Sequence, residues 1–419
     1  MAAEEKAAYR WPMLTYLFLI NLIVNGFVIH VLPPVFPRIA VEMGLSYAQL
    51  GSIWGALALG MLFFSLVGGV AADRFGLKRV LSVALICAAV IGGLRGLAYD
   101  FWTLWLSMLL LGVSYGFVVP NLTKGVAMWF GPSELGKANG LLLMGPALGT
   151  GLGLLVGAPL ASALGGWQNM MFFGGGLSAA LWVIWLVAAR EREPTGVMAE
   201  LLQARRNVRQ GLRRVFSVKE MWLICFMELF IIGRVAALMG LLPTYLVERG
   251  MTDSEAGILV SLANWASLAG MFVGPWLSDR IGLRRIFVWP ALLVNVVLVG
   301  LIPLLSGWSL YLVWIVSGLV AGLVLPLLRS VVMELKEIGP FLSGSAFGGI
   351  FTFNRIGGFV IPWLMGVVMT SVSAAVGVYF VAGLGVLPAV LTFFVRETGH
   401  AARRVGESAR QDNPLQQRR

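Results

Sequence analysis

Five charged side chains stand inside long apolar stretches of this sequence: Lys124, Glu228, Arg234, Arg329 and Arg355. An ion in a hydrocarbon-spanning segment costs about 2.5–3.5 kcal/mol on insertion scales, so each needs a partner or a task. Four of the five are bases, and a single acid neutralises one of them. The remainder predicts guanidinium or ammonium groups free to meet an anion. A planar guanidinium with amide donors around it suits a carboxylate or another oxyanion. Asn21, Asn25, Tyr115, Asn121, Asn264 and Asn354 stand in the same stretches as candidate donors. Asn121 and Lys124 share a helix face by their i, i+3 spacing. Glu228 and Arg234, six residues and about 120° apart around a helix, point different ways, and Glu228 is the candidate proton carrier. His30, with no second histidine in any apolar stretch, reads as a packing or gate residue and not as a metal ligand.

The elements that hold these residues follow from composition. The chain has 419 residues, 58% hydrophobic and only 12% charged, with a mean hydropathy of +0.86. Soluble domains carry about 25% charged residues, so a soluble enzyme is excluded. Membrane crossings need about 20 apolar residues each. Apolar runs between polar breaks predict an all-α polytopic membrane protein with twelve transmembrane helices, over 12–36, 46–72, 79–98, 102–130, 140–164, 169–189, 222–247, 254–278, 286–305, 308–334, 345–371 and 375–395. The polar N-terminus passes straight into the first run, so a retained span is expected and not a cleaved leader. Cys87 and Cys225 both lie in apolar runs and suggest neither a disulfide nor a metal site. No phosphate-binding loop occurs, and neither an enzyme nor a cofactor is expected.

The formal charge of +11 is largely a matter of topology. With both termini in the cytoplasm, 24 of the 31 bases fall on the inner side, against Arg38, Arg95 and Arg249 outside, as the positive-inside rule requires. Nucleic acid is not needed to explain the charge. The segment 190–220 is the long polar stretch between spans, and its spacing allows a basic amphipathic helix on the anionic inner leaflet. It separates an N-terminal bundle, 1–189, from a C-terminal bundle, 221–396, followed by a cytoplasmic tail, 397–419.

The two bundles repeat one another. FPRIAVEMGLSYAQLG (36–51) aligns with LPTYLVERGMTDSEAG (242–257), and GGVAADRFGLKRV (68–80) with GPWLSDRIGLRRI (274–286). Pro37/Pro243, Gly51/Gly257, Asp73/Asp279, Gly112/Gly318 and Pro120/Pro326 all differ by 206, and Gly149/Gly357 by 208. Parallel halves of this kind are the build of carriers that rock around a site near the midplane.

Between the second and third runs stands Gly69-Val-Ala-Ala-Asp73-Arg74-Phe75-Gly76-Leu77-Lys78-Arg79. It resembles the loop signature of the major facilitator superfamily, G-x-x-x-[DE]-R-x-G-[RK]-[RK], with one extra residue, Leu77. A degenerate second copy contains Asp279, Arg280, Gly282 and Arg285. The resemblance covers essentially the whole chain. It implies that family's fold of two pseudo-symmetric six-helix bundles, a central cavity lined by the first, fourth, seventh and tenth helices, and an acid, Asp73, that latches the outward-open state through neighbouring cations and helix ends. Gly76 and Gly282 are expected to permit a tight turn. The chain departs from many proton-coupled members in lacking an arginine in the fourth helix, where Met108, Leu109 and Leu110 stand. GLLLMGPALGTGLG (140–153) resembles the Gly-Pro signature of drug antiporters.

These observations predict a monomeric secondary transporter of the cytoplasmic membrane, moving a small anionic solute by alternating access as an exchanger or with protons. A proton-coupled efflux antiporter for drugs is the alternative, and Glu228 is the one acid deep in a span to serve it. A non-transporting receptor of the same fold is a third reading.

Overall fold

The computed structural model describes residues 9–190, 208–335 and 337–399. The N-terminal residues 1–8, Lys336, the tail from 400 and residues 191–207, with most of the expected amphipathic segment, lie outside the described residues. Among the described residues twelve helices are long and apolar enough to cross a membrane. They are α1 (Arg10–Met43), α2 (Tyr47–Phe75), α3 (Leu77–Leu97), α4 (Phe101–Trp129), α5 (Ser133–Ala163), α6 (Trp167–Ala188), α7 (Lys219–Glu248), α8 (Asp253–Ile281), α9 (Arg285–Leu304), α10 (Gly307–Glu334), α11 (Leu342–Ser371) and α12 (Ala374–Thr392). A short helix, Val208–Val215, precedes α7.

The repeat extends to the way helices begin. Ser46 and Gln49 form a reciprocal capping box at the start of α2. At the start of α8, 206 residues on, Thr252 and Glu255 exchange the equivalent bonds, Thr252 N donating to Glu255 Oε2 at 2.8 Å and Glu255 N to Thr252 Oγ1 at 3.2 Å. Each box satisfies amides that a helix start leaves orphaned. Glycines set the crossings. A Cβ on Gly60 or Gly112 would run into the partner backbone of α4 or α2, and one on Gly270 or Gly322 into that of α10 or α8. Bare backbones approach closely there, which is how helices associate without a hydrophobic driving force.

Helix α1 differs from the single run ending at residue 36 that hydropathy predicts. It is α-helical over Arg10–Ile20, opens into a π-helix over Asn21–Phe27, turns through a 3-10 segment at Pro33–Val35 and resumes over Phe36–Met43. Pro33 and Pro34 lack the N–H donors a regular helix needs. Wide turns free backbone carbonyls, and side chains take them up: Tyr115 Oη donates to Val24 O at 2.7 Å, and His30 Nδ1 to Gly26 O at 2.7 Å.

Backbone proximity divides the chain into two compact units. One gathers the first six helices with Ala236–Asn264 and Gly358–Gly377; the other holds Asn207–Val235, Trp265–Gly357 and the chain from Val378 onward.

Candidate functional site

Most of the embedded ions are committed to neighbours. Lys124 of α4 is ion-paired with Asp73 at the end of α2. Arg234 of α7 is buried; its Nε donates to Val381 O at 2.8 Å and its Nη2 to Asn295 Oδ1 at 3.1 Å, and Asn295 in turn donates to Ser317. Glu228, fully buried on α7, accepts from Asn354 Nδ2 at 2.8 Å and faces Arg329 Nε at 3.4 Å, so Arg329 is the base this acid neutralises. The positive-inside count puts Arg95 on the outer side, and the structure buries it completely within the protein. Its Nη2 donates to Val28 O at 3.2 Å and its Nε to Gly92 O at 3.2 Å. Hydropathy missed it because Arg95 closes α3 at the edge of an apolar run, where a base ordinarily faces water.

Arg355 is the exception. Among the described residues its guanidinium has no hydrogen-bond or ion-pair partner, and it is only partly buried. It follows Asn354, whose Oδ1 is buried and without a partner. Gly357 sets their position: a Cβ there would strike the Leu229 carbonyl, so α11 lies directly on α7 beside Glu228. Gly149, its counterpart 208 residues earlier, meets the Leu22 carbonyl and brings α5 onto α1 in the same way. On α11, Phe351 is one turn from Arg355, and the Arg329 guanidinium lies 5.8 Å from the Phe351 ring centroid.

The remaining amide candidates hold helices together. Asn21 donates to Leu142 O at 2.9 Å and accepts from Asn25 Nδ2 at 3.1 Å. Asn121 donates to Gly68 O at 3.0 Å and Phe117 O at 2.7 Å, tying α4 to α2. Asn264 donates to Ala147 O at 3.0 Å. Tyr115 is fully buried on its α1 carbonyl.

The two loop copies are fastened differently. Gly76 and Gly282 both have positive φ, 88° and 79°, which glycine adopts without steric cost. Asp73 meets Lys124 of α4, whereas Asp279 meets Arg284 of its own loop at 2.5 Å, and Arg284 also reaches Glu334 at 2.9 Å. Burial works against charge on Arg284, but its hydrogen bonds to Glu334 and Asp279 hold the guanidinium above its ordinary pKa. Arg74 lies over the Phe75 ring, Arg280 over Trp276 and Arg285 over Phe393. The Lys78 carbonyl accepts from Trp185 Nε1 at 3.3 Å. Nothing lies within contact of a Cβ placed on Gly69, and no described ion pair involves Arg79.

Within the first unit, the end of α1 is tied to the start of α8 and the end of α5. Arg38 of α1 meets Asp253 of α8 at 2.5 Å and Ser162 at 3.0 Å. Trp54 Nε1 donates to Ala236 O at 2.9 Å, and the Trp54 ring packs edge-on against His30. The repeat pair Gly51 and Gly257 sits at two related crossings, Gly51 under the Pro362 carbonyl of α11 and Gly257 under the Leu154 carbonyl of α5.

The model of the Major Facilitator Superfamily matches residues 18–362. The chain is 27% identical over 369 residues to the 3-(3-hydroxy-phenyl)propionate transporter of Escherichia coli (strain K12), covering 85% of this chain and 87% of that one. It is 27% identical over 344 residues to the gallate transporter of Pseudomonas putida, covering 74% and 75%. It is also 27% identical over 417 residues to the multidrug resistance protein MdtG of Enterobacter lignolyticus (strain SCF1), covering 97% and 96%. In fold it is similar to a bacterial homolog of the human lysosomal transporter Spinster, crystallised inward-facing and unoccupied, with a TM-score of 0.80 at 17% identity over 92% of this chain and 97% of that one.

Proposed function

We propose that this chain, which belongs to the major facilitator superfamily and is a secondary transporter of small solutes, carries an organic carboxylate or similar oxyanion, and that Arg355 receives the anionic group. The observation that carries the reading is the unpartnered Arg355 guanidinium beside the unpartnered Oδ1 of Asn354. Lys124, Arg234, Arg329 and the newly found Arg95 each have protein partners, which leaves one embedded base available. A guanidinium in a span is costly without a counter-charge, and a carboxylate offers it a two-pronged partner. Two relatives, by name, transport 3-(3-hydroxyphenyl)propionate and gallate, both carboxylates. The positive-inside rule puts the loops bearing Asp73 and Arg284 in the cytoplasm.

Uptake of 3-(3-hydroxyphenyl)propionate and gallate into proteoliposomes tests this. Arg355→Ala should lower uptake by about thirty-fold or more, the loss of a charged contact of about 2 kcal/mol, with Arg355→Lys keeping part of it. Carboxylate uptake undiminished in Arg355→Ala would refute the assignment. The efflux reading is favoured by the full-length likeness to a multidrug resistance protein and by the acid Glu228. It predicts that Glu228→Gln abolishes proton-driven drug efflux while Arg355→Ala leaves it intact.

A further inference from the structure

The residues beside Arg355 bear on what the rest of the solute looks like. On α11 the buried residues Ala346, Ile350, Asn354, Gly357 and Ile361 form the stripe that faces inward within the helix packing. One residue round the helix runs a second stripe, Phe347, Phe351, Arg355, at strict i, i+4 spacing, so these three side chains stand above one another. The Phe347 and Phe351 ring centroids are 6.4 Å apart. Phe351 is 49% exposed, and the Arg329 side chain, whose guanidinium lies over it, is 34% exposed. A partly exposed charged side chain within a span belongs in a watery cavity and not in hydrocarbon, so the free side of Phe351, which shares the surroundings of Arg329, is open to solute.

We propose that Phe351 is a specificity-determining residue that stacks an aromatic ring of the solute while Arg355 holds its carboxylate, which makes the solute class aromatic carboxylates. The proposal rests on the assignment of Arg355 to the anion. Four residues of α-helix place the two Cα atoms about 6 Å apart along the axis, close enough for one small solute to touch both side chains. The Arg329 guanidinium on the Phe351 ring leaves the opposite side of that ring for the solute. Offset or edge-on ring pairs add an attraction that a saturated ring of the same size does not provide.

Binding of 3-phenylpropionate and 3-cyclohexylpropionate to the purified protein, read by calorimetry, separates ring stacking from plain apolar burial. Phe351→Leu should weaken 3-phenylpropionate about five-fold and change 3-cyclohexylpropionate less than about two-fold, and Phe351→Tyr should bind both as the parent protein does. Equal losses for the two acids in Phe351→Leu, or no loss for either, overturn the proposal, provided thermal melting shows the variant folded; should it not fold, Phe351→Met, which also removes the ring, is read the same way. A parent protein that binds 3-cyclohexylpropionate as tightly as 3-phenylpropionate also overturns the proposal and leaves the carboxylate reading standing. Binding that survives Arg355→Ala, or no binding of either acid, removes the premise as well.

Discussion

In the first half of the molecule a fully buried guanidinium at the end of α3, Arg95, reaches the Val28 carbonyl of α1. In the second half the residue 206 positions after Val28 is itself an arginine, Arg234, and it reaches across to Asn295 of α9 and Val381 of α12. Both halves place a buried cation between their first and third helices, yet they supply it from opposite sides. What the repeat preserves is therefore the location where a polar tie is needed, between helices that lipid gives no other reason to join, and the residue that provides it has drifted. Arg355 contrasts with both. Its counterpart 208 positions earlier is Ala147, whose carbonyl merely accepts from Asn264. Among the described residues, Arg355 is the embedded base left without a partner.

That contrast can be broken by substitution. The largest stability effect should come from Glu228→Leu, which strips the buried counter-charge from Arg329 and the acceptor from Asn354. Removing one member of a buried pair costs about 3–5 kcal/mol; with Arg329 partly exposed the loss should sit near the low end, about 3 kcal/mol, and the melting temperature of the detergent-solubilised protein should fall. A change under about 1 kcal/mol would mean that the acid contributes nothing to folding. Next come Arg95→Leu and Arg234→Leu, each leaving buried acceptors unmet at a cost of about 1–3 kcal/mol. Their losses should be similar, and a silent Arg234 beside a destabilising Arg95 would end the equivalence of the two ties. The smallest effect is expected at the loop. Asp73 is half exposed, so Asp73→Asn should cost less than about 1 kcal/mol in stability while altering transport rate. A matching loss of stability would make its pair with Lys124 a structural bond instead of a latch.

Much of the fold was legible in the primary structure because it depends on short-range regularities. Twelve apolar runs require twelve helices once the solvent is hydrocarbon, since every backbone polar group must be satisfied within its own segment. The 206-residue offset picked out Gly51/Gly257 and Gly76/Gly282, and both pairs occupy related places, the first at helix crossings and the second at turns with positive φ. The site was legible only as a set of candidates. Counting charges gave three more bases than acids in the spans, but which base met Glu228 depended on side chains 101 residues apart in the chain, Glu228 and Arg329. Asn121 and Tyr115 read as candidate ligand donors, and each instead donates to a carbonyl of another helix, Gly68 of α2 and Val24 of α1. The π-helical turn of α1 left no mark in hydropathy, because widening a helix by one residue per turn does not alter composition.

The sequence alone determined the solvent, the number of crossings, the twofold repeat and the presence of an excess of embedded base, all of which follow from residue type and spacing. Only the tertiary structure decided which of those bases has no partner among the described residues. Pairing is settled by distances of a few ångströms between helices remote in the chain, and an unpaired charge is recognised only after every possible partner has been placed.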